Sequence, residues 1–248
     1  MLEASGIVTL LTDFGSADSY VGAMKGVILR LFARATIIDL AHGLQPYAIL
    51  QAAFLLEGAW REFPSGTVHV AVVDPGVGGQ RKALALSAGE HYFVGPDNGV
   101  FTFLPEEITE QVALDVPAEA SATFHGRDVF APAAAHLAGG ASLASLGRPC
   151  TGLNRLAVAA EKVGESYRAT VLHCDRFGNV VTNLPPRALP RLRSVNGRPL
   201  RPVRTYEDGA DGEIVALLGS SGRVELAVRQ ASAQDRLQVR AMDTMLMT

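Results

Sequence analysis

Three short apolar runs, at residues 7–12, 36–40 and 67–73, alternate with two stretches of helical spacing, and this alternation most constrains what the chain can fold into. It predicts β-α-β-α-β, a parallel sheet with helices on its faces. The first helix is expected from Asp18 or Ser19, either a plausible cap, with Val21, Met24, Ile28 and Leu31 at i+3 and i+4 spacing. The second starts at Pro46, which suits a first turn, and runs to about residue 63. In such sheets ligands bind beyond the carboxyl ends of strands, where Asp13 and Asp74 both fall.

After Arg81 the pattern changes. Residues 83–86 and 92–94 flank Gly89-Glu90 and predict a hairpin, and a helix is expected over about 129–137. Residues 139–164 are rich in Ala, Gly and Ser and mark the division between domains at 1–160 and 161–248. Beyond it, runs at 169–172, 180–183, 214–218 and 224–228 are separated by Gly, Asn, Pro and Asp, which predicts a small all-β, barrel-like domain. The expected fold is an α/β N-terminal domain with a mainly parallel sheet, then this β domain.

Composition excludes several function classes. With 48% hydrophobic and 19% charged residues the chain has ample core material. No stretch approaches about 18 uninterrupted apolar residues, and Met1 to Gly6 lack a basic and an apolar region, so no membrane role and a cytoplasmic location are expected. Cys150 and Cys174 form no CxxC, which argues against a disulfide framework or a thiolate zinc site. Residues 151–248 carry 14 Lys and Arg against 10 Asp and Glu, whereas 1–150 carry 8 against 15. The basic half has few aromatics to stack on bases, so complementary charge between domains or subunits explains the asymmetry without nucleic acid.

Two polar loops deliver charge to the edge of the predicted core. Asp74-Pro75-Gly76-Val77-Gly78-Gly79-Gln80-Arg81 is followed by strand-like residues, so it is neither a dinucleotide loop nor a P-loop. It can serve as a tight turn holding Asp74 against Arg81, as a plain salt bridge or as part of a site. Phe124-His125-Gly126-Arg127-Asp128 puts a histidine just before a helix, a position suited to acid–base work. Asp13, Asp18, Asp39, Asp74, Asp97 and Asp128 with His42 and His125 could ligate a metal, but no recognised spacing organises them. Asp175-Arg176-Phe177-Gly178-Asn179 and Gly219-Ser220-Ser221-Gly222-Arg223 have the composition of hairpin turns.

Taken jointly, Leu11-Thr12-Asp13-Phe14-Gly15, Asp74-Pro75-Gly76-Val77-Gly78 with Arg81, Gly95-Pro96-Asp97-Asn98-Gly99, Phe124-His125-Gly126-Arg127-Asp128 and Asp175-Arg176-Phe177-Gly178-Asn179 resemble the S-adenosyl-L-methionine (SAM) hydroxide adenosyltransferases, relatives of the fluorinases and chlorinases. The resemblance implies hydrolysis of SAM to adenosine and L-methionine by in-line attack at ribose C5′. It implies no cofactor and no metal, and a homotrimer with substrate between one subunit's N-domain and its neighbour's C-domain. It assigns Asp74, Arg81 and His125 to the water, Asp13 to the ribose hydroxyls and Tyr47 to packing near the ribose. Asp175 and Ser220 match the grip on the methionine ammonium, and Asn179 an adenine contact. The segment before Asn179 is one residue shorter than in fluorinases. Gly126 stands where fluorinases carry a halide-binding Ser and is expected to leave space beside the cluster; chlorinases also have Gly there. Halide transfer, a non-catalytic SAM or adenosine sensor, and a metal-dependent phosphoesterase are the alternatives.

Overall fold

The computed structural model describes residues 2–248; Met1, part of the leader reading, lies outside them. Contacts divide the chain into two units, Met1–Leu156 and Ala157–Thr248. In the first, β1 (Ile7–Thr12), β2 (Thr36–Ala41), β3 (Val68–Val72), β4 (Ala83–Ala88), β5 (His91–Pro96), β6 (Glu110–Leu114) and β7 (Gly147–Pro149) form one sheet ordered β2-β1-β3-β5-β4-β6-β7. The pairs β1–β2, β1–β3 and β3–β5 are parallel, whereas β4–β5, β4–β6 and β6–β7 are antiparallel. The sheet is therefore mixed, not mainly parallel. The reason is local: Gly89 and Glu90 both take positive φ, a turn that folds β4 directly onto β5 where a crossover helix would have kept strands parallel.

Central strands β3, β4 and β5 are buried at every position, as double-sided covering requires. On one face Val8, Leu10, Val70 and Val94 pack with Met24 and Ile28 of α1 (Tyr20–Leu31) and with Ala134 and Leu137 of α3 (Ala131–Ala138). On the other, Leu11, Ala71 and Phe93 pack with Ala52 and Leu56 of α2 (Ile49–Glu57), and with Trp60. Alternating strand residues thus feed two separate apolar layers.

Helix α2 begins later and ends sooner than Pro46 and residue 63 predict. Tyr47 lies in the left-handed region at φ 68°, which cannot continue into a helix from Pro46. Gly58 closes the helix, and a separate 3₁₀ turn spans Trp60–Glu62. The helix expected at 129–137 is preceded by a π-helical turn, Gly126–Phe130, before α3.

The second unit comprises β8 (Glu161–Val163), β9 (Ser166–Cys174), β10 (Val180–Thr182), β11 (Ser194–Val195), β12 (Arg198–Pro199), β13 (Arg201–Pro202), β14 (Ile214–Leu218), β15 (Val224–Val228), the short helix α4 (Ala233–Leu237) and β16 (Thr244–Met247). They form one nine-stranded, barrel-like sheet in the order β12-β11-β16-β9-β10-β15-β14-β13, with β8 on β9. Its inner face is apolar, from Ala169, Val171, Val180, Ala216, Val224, Leu226 and Met245. The short strands β11 to β13 and β16 escape a reading based on apolar runs, because Arg and Pro dominate several of them.

Candidate active site

Parallel pairing of β1 with β3 aligns Thr12 with Val72, so both chains leave the sheet at the same edge, with Asp13 one residue and Asp74 two residues further on. Beyond Asp74 the backbone doubles back, with Val77 N–H donating to Asp74 C=O and Gly79 N–H to Gly76 C=O. Gly78 is at φ 73°, and a Cβ there would lie 2.3 Å from the Ala122 carbonyl oxygen, so only glycine fits. This turn lays Arg81 along Asp74. The guanidinium Nε donates to both carboxylate oxygens at 3.0 Å and Nη2 donates to Oδ2, a fork-on-fork pair with side chains only 10% and 4% exposed.

Arg81 Nη2 also donates to His125 Nδ1 at 2.9 Å. A guanidinium only donates, so Nδ1 must be the bare nitrogen and the proton of neutral His125 sits on Nε2. Burial, and then the Arg81 charge, push the His125 imidazole below its ordinary range, with Asp74 and Asp128 opposing. Neutral His125 is thus the stable form, held as a donor through Nε2. Phe130 backs the guanidinium, its ring centroid 5.4 Å from Arg81 Cζ.

The loop carrying His125 is anchored from outside the cluster. Asp128 accepts from Ser121 N–H at 2.9 Å and pairs with Arg127, whose hydrogen bond holds its carboxyl below the usual carboxylate range. Gly126 is buried, but the expected open space is filled: a Cβ would meet Met24 Sδ and the Phe124 ring at 3.2 Å and the Phe14 ring at 3.4 Å. Beside it, Phe14, Tyr20 and Phe124 form an aromatic trio with centroids 5.1–6.0 Å apart. Asp13 Oδ2 accepts the Tyr47 N–H at 2.8 Å, which accounts for the left-handed backbone of Tyr47 and leaves its ring exposed.

In the second unit Asp175 accepts from Phe177 N–H and Asn179 N–H through Oδ1, at 2.9 and 2.8 Å, and from Asn179 Nδ2 through Oδ2 at 2.9 Å. This is the turn brace its composition suggests. The same Asp175 and Asn179 also line a cavity of about 750 Å³ with Ser220, Phe177, Tyr206 and Arg229. The structure brings Asp74, Arg81 and His125 into one cluster, joins Asp13 to Tyr47, and gathers Asp175, Asn179 and Ser220 around one cavity.

Sequence reasoning missed the aromatic trio, Tyr206, and Asn98, whose Nδ2 donates to the Val73 carbonyl at 2.8 Å just before Asp74. Asn98 lies inside the motif Gly95-Pro96-Asp97-Asn98-Gly99, and Tyr206 lies between the capping pair Thr205 and Asp208, a signal readable in the sequence. Among the described residues, no three His, Cys, Asp or Glu side chains converge to hold a metal ion. No helix among them is long and apolar enough to cross a membrane.

A mixed α/β unit with a buried carboxylate–guanidinium–imidazole cluster at its strand ends, followed by a β unit with a cavity lined by both apolar and charged side chains, defines a two-domain protein of the adenosyltransferase type. The description "SAM hydroxide adenosyltransferase N-terminal domain" matches residues 8–147 and the corresponding C-terminal domain matches 169–246, so the chain belongs to the SAM hydroxide adenosyltransferase family. It is 42% identical to an (R)-S-adenosyl-L-methionine hydrolase of Thermus thermophilus, covering 93% of this chain and 94% of that one. A fluorinase of Nocardia brasiliensis is 28% identical, over 91% of each chain. A crystal structure of an uncharacterized conserved protein from Thermotoga maritima superposes with a TM-score of 0.85 at 34% identity, covering 97% of this chain and 99% of that one.

Proposed function

We propose that this protein hydrolyses SAM to adenosine and L-methionine. The observation that carries the chemistry is the Asp74–Arg81–His125 cluster, a set that can hold an anionic oxygen. In the reaction a water oxygen bonds to ribose C5′ while the C5′–S bond breaks. Its electron pair goes to sulfur, leaving methionine as a neutral thioether, and the water's proton passes to solvent. Sulfur needs no acid to leave. The nucleophile is the scarce partner, since bulk water has a pKa of about 15.7.

With Nδ1 occupied by Arg81, His125 offers the nucleophile a donor at Nε2 rather than a basic nitrogen. Its role is to favour hydroxide over water, with the Arg81 charge adding to that preference and Asp74 fixing the guanidinium in plane. Asp13 and Tyr47 bind the ribose; Asp175 and Ser220 hold the methionine ammonium and Asn179 the adenine. Gly126 contributes by lacking a side chain: a Ser at this position would have to displace Met24 or an aromatic ring. The retained cluster is what favours water over halide, because the glycine is shared with chlorinases. No cofactor takes part, SAM being the substrate, and the (R)-sulfonium epimer in the relatives' name is the form expected to react.

A homotrimer in the cytoplasm, pairing the first unit of one subunit with the second unit of its neighbour, would complete each site, with neither nucleic acid nor membrane as partner. The test is incubation with SAM in ¹⁸O-labelled water, with and without chloride, and mass spectrometry of the nucleosides. Labelled adenosine in both supports hydrolysis. Chlorodeoxyadenosine would make the protein a halogenase, and unchanged substrate a sensor.

A further inference from the structure

Glu225 is a carboxylate buried to 6% exposure in the middle of β15. Its neighbours Val224 and Leu226 point into the apolar interior, while Glu225 points to the other face, opposite Val181 of β10 and Leu217 of β14. Apolar residues there would cost less than a buried acid, so its presence calls for a use. Two contacts indicate one. Oε1 accepts a hydrogen bond from the Tyr206 hydroxyl, and Tyr206 lines the cavity with Asp175 and Ser220. Oε2 lies in the space at Gly219, where a Cβ would come within 2.1 Å of it, so a larger residue before Ser220 would push the Glu225 carboxylate aside.

Glu225 therefore lies directly behind two elements of the cavity, the Tyr206 ring and the Gly219-Ser220 turn. Burial pushes its carboxyl up, the Tyr206 hydrogen bond pulls it down, and negative Asp175 pushes it up again; the Tyr206 phenol is pushed up to about 12 by burial and then by Glu225. Glu225, Tyr206 and Asp175 thus sense one another. A cation entering the cavity would relieve two acids at once.

We propose that Glu225 is a positioning residue that fixes Tyr206 as a cavity wall and, with Asp175, makes the cavity prefer a cationic adenosyl compound to a neutral one. The inference rests on the reading that SAM occupies this cavity, and it adds a basis for releasing product: adenosine lacks the charges that the acids attract.

The test separates geometry from charge. Glu225→Gln keeps an acceptor for Tyr206 and removes the charge; Tyr206→Phe keeps the charge and removes the bond. Binding of SAM and of adenosine is measured by calorimetry on both variants and the wild type, with KM and kcat alongside. Glu225→Gln is expected to weaken SAM about tenfold more than adenosine, raising KM with kcat nearly unchanged, the size of one charge–charge interaction at intermediate dielectric. Tyr206→Phe is expected to weaken both by the same factor. Equal losses for the two ligands in Glu225→Gln, or no loss in Tyr206→Phe, would overturn the inference. If Glu225→Gln does not fold, the paired variant Glu225→Met with Tyr206→Phe, which removes charge and hydrogen bond together, takes its place, and SAM must again lose more than adenosine. Wild-type protein that neither binds nor turns over SAM would instead sink the hydrolase reading itself.

Discussion

The two units carry polar groups in opposite ways. In the first, Asp74, Arg81 and His125 are buried and bonded chiefly to one another, so their geometry is set before any ligand arrives. In the second, Asp175 is committed to a turn while its neighbours Phe177 and Tyr206 expose their rings toward a roomy cavity. A self-satisfied cluster resists rearrangement, as transition-state stabilisation requires, whereas an open cavity can admit and release a ligand. Chemistry should therefore read out in the first unit and affinity in the second.

The sharpest way to break that division is Arg81→Ala, which removes the donor to His125 and strands Asp74. We expect kcat to fall roughly 10³-fold with SAM binding still measurable by calorimetry; a loss confined to KM would make Arg81 a substrate clamp. His125→Ala should cost about 10²-fold in kcat.

Next in size, Asp175→Ala should raise KM about tenfold and leave kcat within a factor of a few, since it loses an ionic contact and a turn brace but no reacting group. Equal falls in kcat and kcat/KM would erase the contrast between the units. Gly78→Ala should destabilise the first unit by about 2 kcal/mol, from positive φ and the Ala122 carbonyl, seen as a lower melting temperature.

The smallest effects concern pH. Because His125 is held below its ordinary value, it stays neutral as pH falls past 6.5, so the acid limb of kcat should lie below that value. His69 is held down at about 3 by burial, with His91 adding to it, and His91 and His125 are also lowered. The unfolded chain would take up protons on these groups before the folded one does. Stability should be level from about pH 8 to 7 and fall progressively below about 6.5, as thermal melts would record; a rise on acidification would contradict the placement of these histidines.

Much of this was legible before the structure. The apolar runs located β1 to β5 and the longer strands of the second unit, because strand period and burial are local properties. Ordered motifs named the candidate residues, and the Gly-rich loop correctly paired Asp74 with Arg81, only seven positions apart. Less legible was Tyr47, whose left-handed backbone depends on a carboxylate 34 positions away and cuts short the helix that Pro46 suggested. Gly126 illustrates the same limit, since a missing side chain reads as space until its neighbours are known.

By itself the sequence determined the order of the longer elements, the family and the chemical types at the site, because spacing along a chain records local geometry. Only the tertiary structure decided that β6 and β7 extend the sheet antiparallel beyond the predicted hairpin, and that His125 meets Arg81 across 44 positions with its proton on Nε2. It alone placed a buried acid, Glu225, behind the cavity wall. Each of these depends on register between distant strands and on what fills the volume between side chains, and neither quantity is written in any single stretch of residues.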